Sequence, residues 1–223
     1  YYAQDVSLAE KQKRTHITGL YTPNKPVYAS ADLGFSDSTA IWFWQDHGEY
    51  IDIVDYEEHA GKTLDFYVQL LFGKQFPIER LYLPHDAKQR TLQTGRGTIE
   101  QLLAAGFPCE IVPYLTVQQG IDAARLMLPQ CRFDAKADKG LEALRAYKRQ
   151  YSELTKAYQN KPLHDWSSNG ADSFRYLSLV ARTPGAVAPS APSPLDLTKR
   201  HTLNELFEEN ERGPILSIAR RRV

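Results

Sequence analysis

Between Val27 and Asp46 the chain reads V-Y-A-S-A-D-L-G-F-S-D-S-T-A-I-W-F-W-Q-D. A short apolar run closes on a carboxylate and Leu-Gly, and an aromatic, β-branched run then leads to a His-Gly turn. Runs of this length and composition are strands of a buried sheet. A desolvated, unpaired carboxylate at the tip of such a strand is destabilising by several kcal/mol or more. Asp32 therefore calls for something cationic beside it and reads as a metal ligand or catalytic acid, whose partners the rest of the chain has to supply.

Three strand signals follow one another at Val27–Ala31, Thr39–Trp44 and Tyr50–Val54, and Asp46-His47-Gly48 is a hairpin signature, so the first sheet elements are antiparallel. The pattern then alternates. Leu64–Phe72 has helical spacing, Arg80–Leu83 reads as a strand, Thr98–Ala105 is helical up to Gly106, and Cys109–Tyr114 is again a strand. Helices are predicted over Val117–Leu128, Lys139–Tyr151 and about Asn169–Ala181. Antiparallel strands followed by this alternation predict an α/β fold, a mixed sheet with helices on both faces.

Ahead of this core, residues 1–25 hold a short amphipathic pattern and a Thr-Pro-Asn-Lys-Pro breaker, a linker or docking segment. The core domain spans 26–183. Residues 184–223 open on a Pro, Ala, Ser and Gly stretch that reads as a flexible linker, then a short acidic helix candidate at Thr202–Glu211 and a basic end. The opening Tyr-Tyr-Ala-Gln, without an initiator Met, reads as part of something longer.

Lys and Arg together number 27, as do Asp and Glu, so no global basic field announces a nucleic-acid partner and any such contact must come from local charge. Cys109 and Cys131 form no C-x-x-C motif and read as reduced core thiols. No apolar run approaches the ~18 residues a bilayer span needs, and nothing resembles a signal peptide, which predicts a soluble intracellular protein without a membrane partner.

Two further acids stand at the ends of elements. Asp86 follows the strand L-Y-L-P in the string L-P-H-D-A-K-Q-R, at a carboxyl end of the sheet, where open α/β sheets place their ligands. Asp172 lies one turn into the last helix in N-G-A-D-S-F-R-Y-L, sharing a face with Tyr176 and Leu179. Convergent carboxylates without His or Cys are hard oxygen ligands suited to Mg²⁺ or Mn²⁺. Two such ions can clamp the attacking and leaving oxygens of a phosphoryl displacement. A turn or capping role remains the plain alternative for each acid taken alone.

The motifs A-D-L-G-F-S-D-S-T-A-I-W-F-W-Q, D-Y-E-E-H-A-G-K-T-L, L-Y-L-P-H-D-A, G-I-D-A-A-R and H-D-W-S-S-N-G-A-D-S-F-R-Y together resemble the nuclease domain of tailed-phage terminase large subunits, over Val27 to about Val180. The resemblance implies an RNase H-like fold and a metal-dependent endonuclease that cuts concatemeric double-stranded phage DNA using two divalent cations, Mg²⁺ or Mn²⁺. It also implies partners in the terminase small subunit and the portal or procapsid, in the cytoplasm of an infected host. The family's acidic triad falls on Asp32, Asp86 and Asp172. Relatives carry a His near G-A-D where this chain has Asn169, so that role is vacant or falls to His164. The family's large subunit places an ATPase ahead of the nuclease, which makes 1–25 its trailing edge. Gly61-Lys62-Thr63 imitates a P-loop, but the glycine needed five residues earlier is Tyr56 and no strand is predicted to feed straight into it, so no ATPase activity is expected.

Around the triad, Asp37 is an auxiliary ligand or a turn residue, and Glu57 or Glu58 could add a water-mediated metal contact at the end of the third strand. His85 and His164 could orient water or phosphate. Lys88, Arg90 and Arg96, in the glycine-containing loop after Asp86, are the candidate grip on the DNA backbone, with Lys136, Lys139, Arg145, Lys148 and Arg149 a second basic cluster. The competing functions are another nuclease of the same fold, such as a junction resolvase, an RNase H or a transposase, and a non-catalytic binding module of the packaging motor.

Overall fold

The computed structural model describes residues 1–34, 38–89 and 95–181. Within them the strands β1 (Val27–Asp32), β2 (Ser38–Asp46), β3 (Ile51–Ala60), β4 (Ile78–Leu83), β5 (Cys109–Ile111) and β6 (Cys131–Phe133) form one sheet in the order β5-β4-β1-β2-β3-β6. β2 runs antiparallel to both neighbours, β4 and β5 continue parallel from β1, and β6 is parallel to β3. The carboxyl ends of β1, β3, β4 and β5 therefore share one edge. This is the mixed sheet expected from the sequence.

Strand alternation sorts the two faces. Val27, Ala29 and Ala31 of β1, Ile41 and Phe43 of β2 and Leu81 and Leu83 of β4 pack under the helices α2 (Leu64–Phe72) and α3 (Thr98–Ala104). On the other face Tyr28, Trp42, Trp44, Tyr56 and Tyr82 meet α1 (Ala3–Lys11), α4 (Val117–Met127), α5 (Asp138–Ala146) and α6 (Ser168–Val180). Central β2 is buried on both faces, which is why its sequence is a continuous apolar run rather than an alternating one.

Residues 1–25, read as a linker or docking segment, dock. Tyr2, Val6 and Ala9 are buried. The fully buried amide of Gln45 accepts from the Thr22 N–H at 2.8 Å and donates to the Thr22 and Lys25 carbonyls at 2.9 Å. The buried Asp134 carboxylate accepts from the Leu20 N–H at 2.9 Å.

Several elements differ from the sequence-based expectation. The helix predicted to run to Tyr151 stops at Ala146, because Tyr147 turns to extended geometry to bury its ring against Tyr1 and Tyr2. The chain then forms a separate hairpin, β7 (Arg149–Ser152) with β8 (Ala157–Pro162). Its tyrosines Tyr151 and Tyr158 face each other across the strands, and the helical spacing of Leu141, Leu144 and Tyr147 had masked it. β6 is three residues long, too short for a periodic signal. β3 runs six residues past Val54 and carries a bulge where Phe43 pairs with Asp55 but Trp44 pairs with Ile53. The extra residue, Val54, reverses which side chains of β3 face α6.

Both α5 and α6 approach the sheet at glycines. A Cβ on Gly140 would lie 2.3 Å from the Trp42 ring, and one on Gly170 would lie 2.6 Å from the Tyr56 hydroxyl. Trp42 cannot withdraw, since its indole N–H donates to the Gly170 carbonyl at 2.8 Å and its ring is fully buried. Gly140→Ala should therefore destabilise the domain by about 1–3 kcal/mol of overpacking, despite the ~1 kcal/mol that Ala otherwise gains over Gly in a helix. Urea unfolding reads the change, and a more stable variant would show that α5 can shift away from the ring.

Candidate active site at the carboxyl edge of the sheet

Asp32 ends β1, with its neighbours paired on both sides. Because Tyr28, Ser30 and Asp32 alternate with the alanines, its side chain lies on the α6 face. Directly across β2 and β3, Asp32 pairs with Ala40 and Ala40 with Glu58, so the two carboxylates occupy one cross-strand row separated by a methyl group. The β3 bulge creates that row; unbroken alternation from Ile53 would have aimed Glu58 at the opposite face. Glu57 points there instead, where its carboxylate pairs with Lys74 at 2.5 Å and His59 at 3.0 Å. The expectation that either Glu57 or Glu58 could serve at the end of the third strand thus narrows to Glu58, which lies within β3 rather than beyond it.

α6 supplies Asp172. Reciprocal bonds between Ser30 and Ser173, each hydroxyl donating to the other residue's carbonyl at 3.0 and 2.8 Å, fix the helix on β1. Together with the Trp42–Gly170 bond they set both rotation and height of α6. Asp172 Oδ1 accepts from the Tyr147 hydroxyl at 2.9 Å and from Arg175 Nε and Nη2 at 3.1 and 2.8 Å.

Asp86 sits in a 3-10 turn, His85–Lys88, directly after the end of β4, the parallel neighbour of β1. It is exposed. The following loop returns at Gly97, whose missing Cβ would stand 3.0 Å from the Ala87 and Lys88 carbonyls. A side chain there would press those carbonyls back, and the close approach brings Arg96 near the turn that carries Asp86 and Lys88. Asp37 and Arg90 lie outside the described residues.

Tyr176 ties the three aspartates together. Burial pushes its hydroxyl far above the ordinary tyrosine value, and Asp32, Asp172 and Asp86 push the same way, opposed by Arg175. Burial likewise raises Tyr56, helped by Glu58 and then Asp32. Two phenols therefore sit in the field of four carboxylates drawn from β1, β3, the turn after β4, and α6. Arg175 pairs with Asp172, and Lys139 Nζ lies 3.2 Å from Glu58 Oε2.

The histidines take lesser places. His85 packs edge-on against Tyr114, with ring centroids 5.3 Å apart. His164 bonds the Ser168 hydroxyl at 3.0 Å at the start of α6. Asn169 is buried one turn before Asp172. Tyr56, Tyr147, Arg175 and Tyr176 were not singled out as site residues from the sequence. Arg175 and Tyr176 stand three and four positions after Asp172, the spacing that puts them on its flank, whereas nothing in the sequence marks Tyr147.

An all-carboxylate donor set, without His or Cys, suits a hard divalent cation by its chemistry. Among the described residues no three acidic, His or Cys side chains are themselves arranged to hold a metal ion. Ligation thus requires the carboxylates to turn toward a common point, a motion that their mutual repulsion opposes until a cation lies between them.

The P-loop imitation is placed differently from its expectation. β3 runs to Ala60 and feeds straight into Gly61-Lys62-Thr63 and α2, so a strand does precede it. Yet Tyr56, at the position of the missing glycine, is a buried strand residue, and the Thr63 hydroxyl accepts from the Phe66 N–H as the cap of α2. No helix among the described residues is long and apolar enough to cross a membrane.

No protein-family model matches this sequence, and no curated protein matches it. Solved structures do. The large terminase of a thermophilic bacteriophage superposes with a TM-score of 0.60 at 16% identity, over 75% of this chain and 42% of that one. The P22 large terminase nuclease domain gives 0.57 at 16% identity, over 75% and 87%. The large terminase nuclease domain of bacteriophage SPP1, solved with bound Mn, gives 0.53 at 12% identity, over 74% and 94%. The chain spans about two fifths of the thermophilic-phage protein and most of the two isolated nuclease domains. At such identities the likeness is one of fold: this chain has the RNase H-like fold of large terminase nuclease domains.

If Glu58 chiefly holds the Tyr56 hydroxyl, which it accepts at 3.2 Å, Glu58→Gln should leave stability within about 1 kcal/mol of wild type. Glu58→Ala, which orphans that buried hydroxyl, should cost about 1–3 kcal/mol. Equal urea midpoints for the two variants would show that the bond contributes nothing.

Proposed function

We propose that this chain is the nuclease part of a phage genome-packaging motor, a metal-dependent endonuclease that cleaves concatemeric double-stranded DNA. The observation that carries the reading is the gathering of Asp32, Glu58, Asp86 and Asp172 at the carboxyl edge of a sheet whose fold is that of large terminase nuclease domains. Asp32, Asp86 and Asp172 would hold two divalent ions, Mg²⁺ or Mn²⁺, with Glu58 an auxiliary ligand; the Mn bound to the SPP1 domain supports that choice. Bound there, the ions would lower the pKa of an attacking water and neutralise the phosphate.

The chain's own residues do the rest. Asp32, set by the sheet, fixes one side of the site, and Asp172, set by α6, fixes the other. Lys88 and Arg96, with Arg90 from the same loop, grip backbone phosphates on the Asp86 side. No sequence feature marks a reader of base edges, so weak sequence preference is expected of the cut. A balanced total charge is compatible with this, since the cations needed are local. Residues 1–25 continue toward an ATPase domain, while the small subunit and the portal or procapsid are the partners of the assembled motor. His85 and His164 would orient phosphate or water, and the tail after Leu195 would engage the portal or procapsid.

Supercoiled plasmid incubated with Mn²⁺ should be nicked and then linearised, and a chelator should stop it. Asp32→Asn, Asp86→Asn and Asp172→Asn should each lower the rate on the order of 100-fold or more, at or beyond the upper end of what loss of a supporting group costs. Full activity in these variants would make the acids structural and overturn the assignment, whereas no metal-dependent cleavage by the wild type would favour a binding module. Preference for four-way junctions or RNA–DNA hybrids over plain plasmid would favour the resolvase or RNase H alternatives.

Charge reversal of Lys88 and Arg96 should weaken DNA binding at low salt and flatten its salt dependence by about one unit of slope per lost phosphate contact. Unchanged binding removes the loop from the account. No phosphate release from ATP is expected; a coupled assay that detects it overturns the assignment of Gly61-Lys62-Thr63 as a helix cap.

A further inference from the structure

One oxygen of Asp172 is already fully used. Oδ1 takes three bonds, from the Tyr147 hydroxyl at 2.9 Å and from Arg175 Nε and Nη2 at 3.1 and 2.8 Å. Oδ2 makes no hydrogen bond to a described residue. The donors are themselves immobile. Tyr147 is 1% exposed, its ring stacked on Tyr2 at 5.7 Å and tilted against Tyr1 at 5.0 Å. The Arg175 side chain is 8% exposed. α4 packs over it at Gly120, where a Cβ would already stand 3.4 Å from its Cβ, Cδ and Nη1.

An i,i+3 Arg–Asp pair on an open helix face is worth little and fixes nothing. Here a third donor arrives from the end of α5, and the guanidinium is buried, so rotating the carboxylate would strand two buried donors at once.

We infer that Tyr147 and Arg175 are positioning residues that make Asp172 a one-oxygen ligand, holding Oδ1 and leaving Oδ2 alone for a divalent ion. This rests on the reading of Asp172 as a metal ligand. The consequence is selectivity. Mg²⁺ and Mn²⁺ accept single carboxylate oxygens in a six-fold shell, whereas Ca²⁺ takes more oxygens and readily accepts both oxygens of one carboxylate. A carboxylate locked at Oδ1 cannot offer that second oxygen, so the clamp disfavours Ca²⁺.

The test is calorimetric titration of Mg²⁺ and Ca²⁺ into the full chain, into Tyr147→Phe, which keeps the buried ring, and into Arg175→Lys, which keeps the charge but loses the fork. Circular dichroism checks that each is folded. Both variants should bind Ca²⁺ better relative to Mg²⁺ by about tenfold, within the range that outer groups impose on metal affinity. A merely structural role would weaken both ions alike, and that result, or an unchanged ratio in both variants, overturns the inference. Asp172→Asn separates the two levels: if it binds both ions as the wild type does, the metal-site reading itself fails.

Discussion

The seating of α6 on β1 and β2 is the constraint on which the rest depends. Two reciprocal serine bonds and one indole bond, all buried, join Ser173 to Ser30 and Gly170 to Trp42. Glycine at 170 lets the helix come close enough for the bond to Trp42, and glycine at 140 lets α5 close over the same ring. Polar groups buried here cannot exchange their partners for water, so the geometry they hold is discrete rather than sliding. Asp172 inherits its position from that docking. So does Tyr176, whose hydroxyl lies where the fields of Asp32, Asp86 and Asp172 overlap.

Charge explains why the site needs such a frame. Among the described residues four carboxylates lie near the phenols of Tyr56 and Tyr176, with Arg175 paired to Asp172 and Lys139 to Glu58. A rigid sheet edge resists the repulsion that would otherwise spread them, and a shared cation is the natural means of relieving it. Elsewhere buried acids are paired directly. Asp52 takes both arms of Arg132 at 2.6 and 2.7 Å at the opposite end of the sheet, and Lys74 bridges Asp55 and Glu57 under α2.

Much of this was legible in the sequence, for physical reasons that also set the limits. β1, β2 and α2 show because burial forces their apolar patterns over six to nine residues. Asp32, Asp86 and Asp172 could be picked out because each stands at the end of an element instead of on a polar face. The bulge at Val54 was not legible, since one inserted residue leaves composition untouched while inverting the face of everything after it, Glu58 included. The β7–β8 hairpin was hidden because Tyr147 continues a helical spacing but spends its ring on Tyr1 and Tyr2, contacts made across the whole chain. Its bond to Asp172 is a tertiary fact of the same kind.

The three aspartates are anchored with unequal firmness, and the order matters for how an ion could be gripped. Asp32 belongs to a strand paired on both sides, and Asp172 is held by three side-chain bonds on a helix that is itself bonded to the sheet. Asp86 rides on one short 3-10 turn, bounded by backbone bonds from Ala87 to Pro84 at 3.1 Å and from Gln89 to Asp86 at 2.8 Å. Its shortness and the exposure of Asp86 place that turn below the sheet and α6 in local stability. On the proposed reading, the adjustment that would bring three carboxylates to a common point would fall mainly on Asp86, whose turn also carries Lys88 and is followed by Arg96. Closing on a cation and closing on a phosphate would then be one movement of one turn, with the two firmer acids serving as its fixed counterpart.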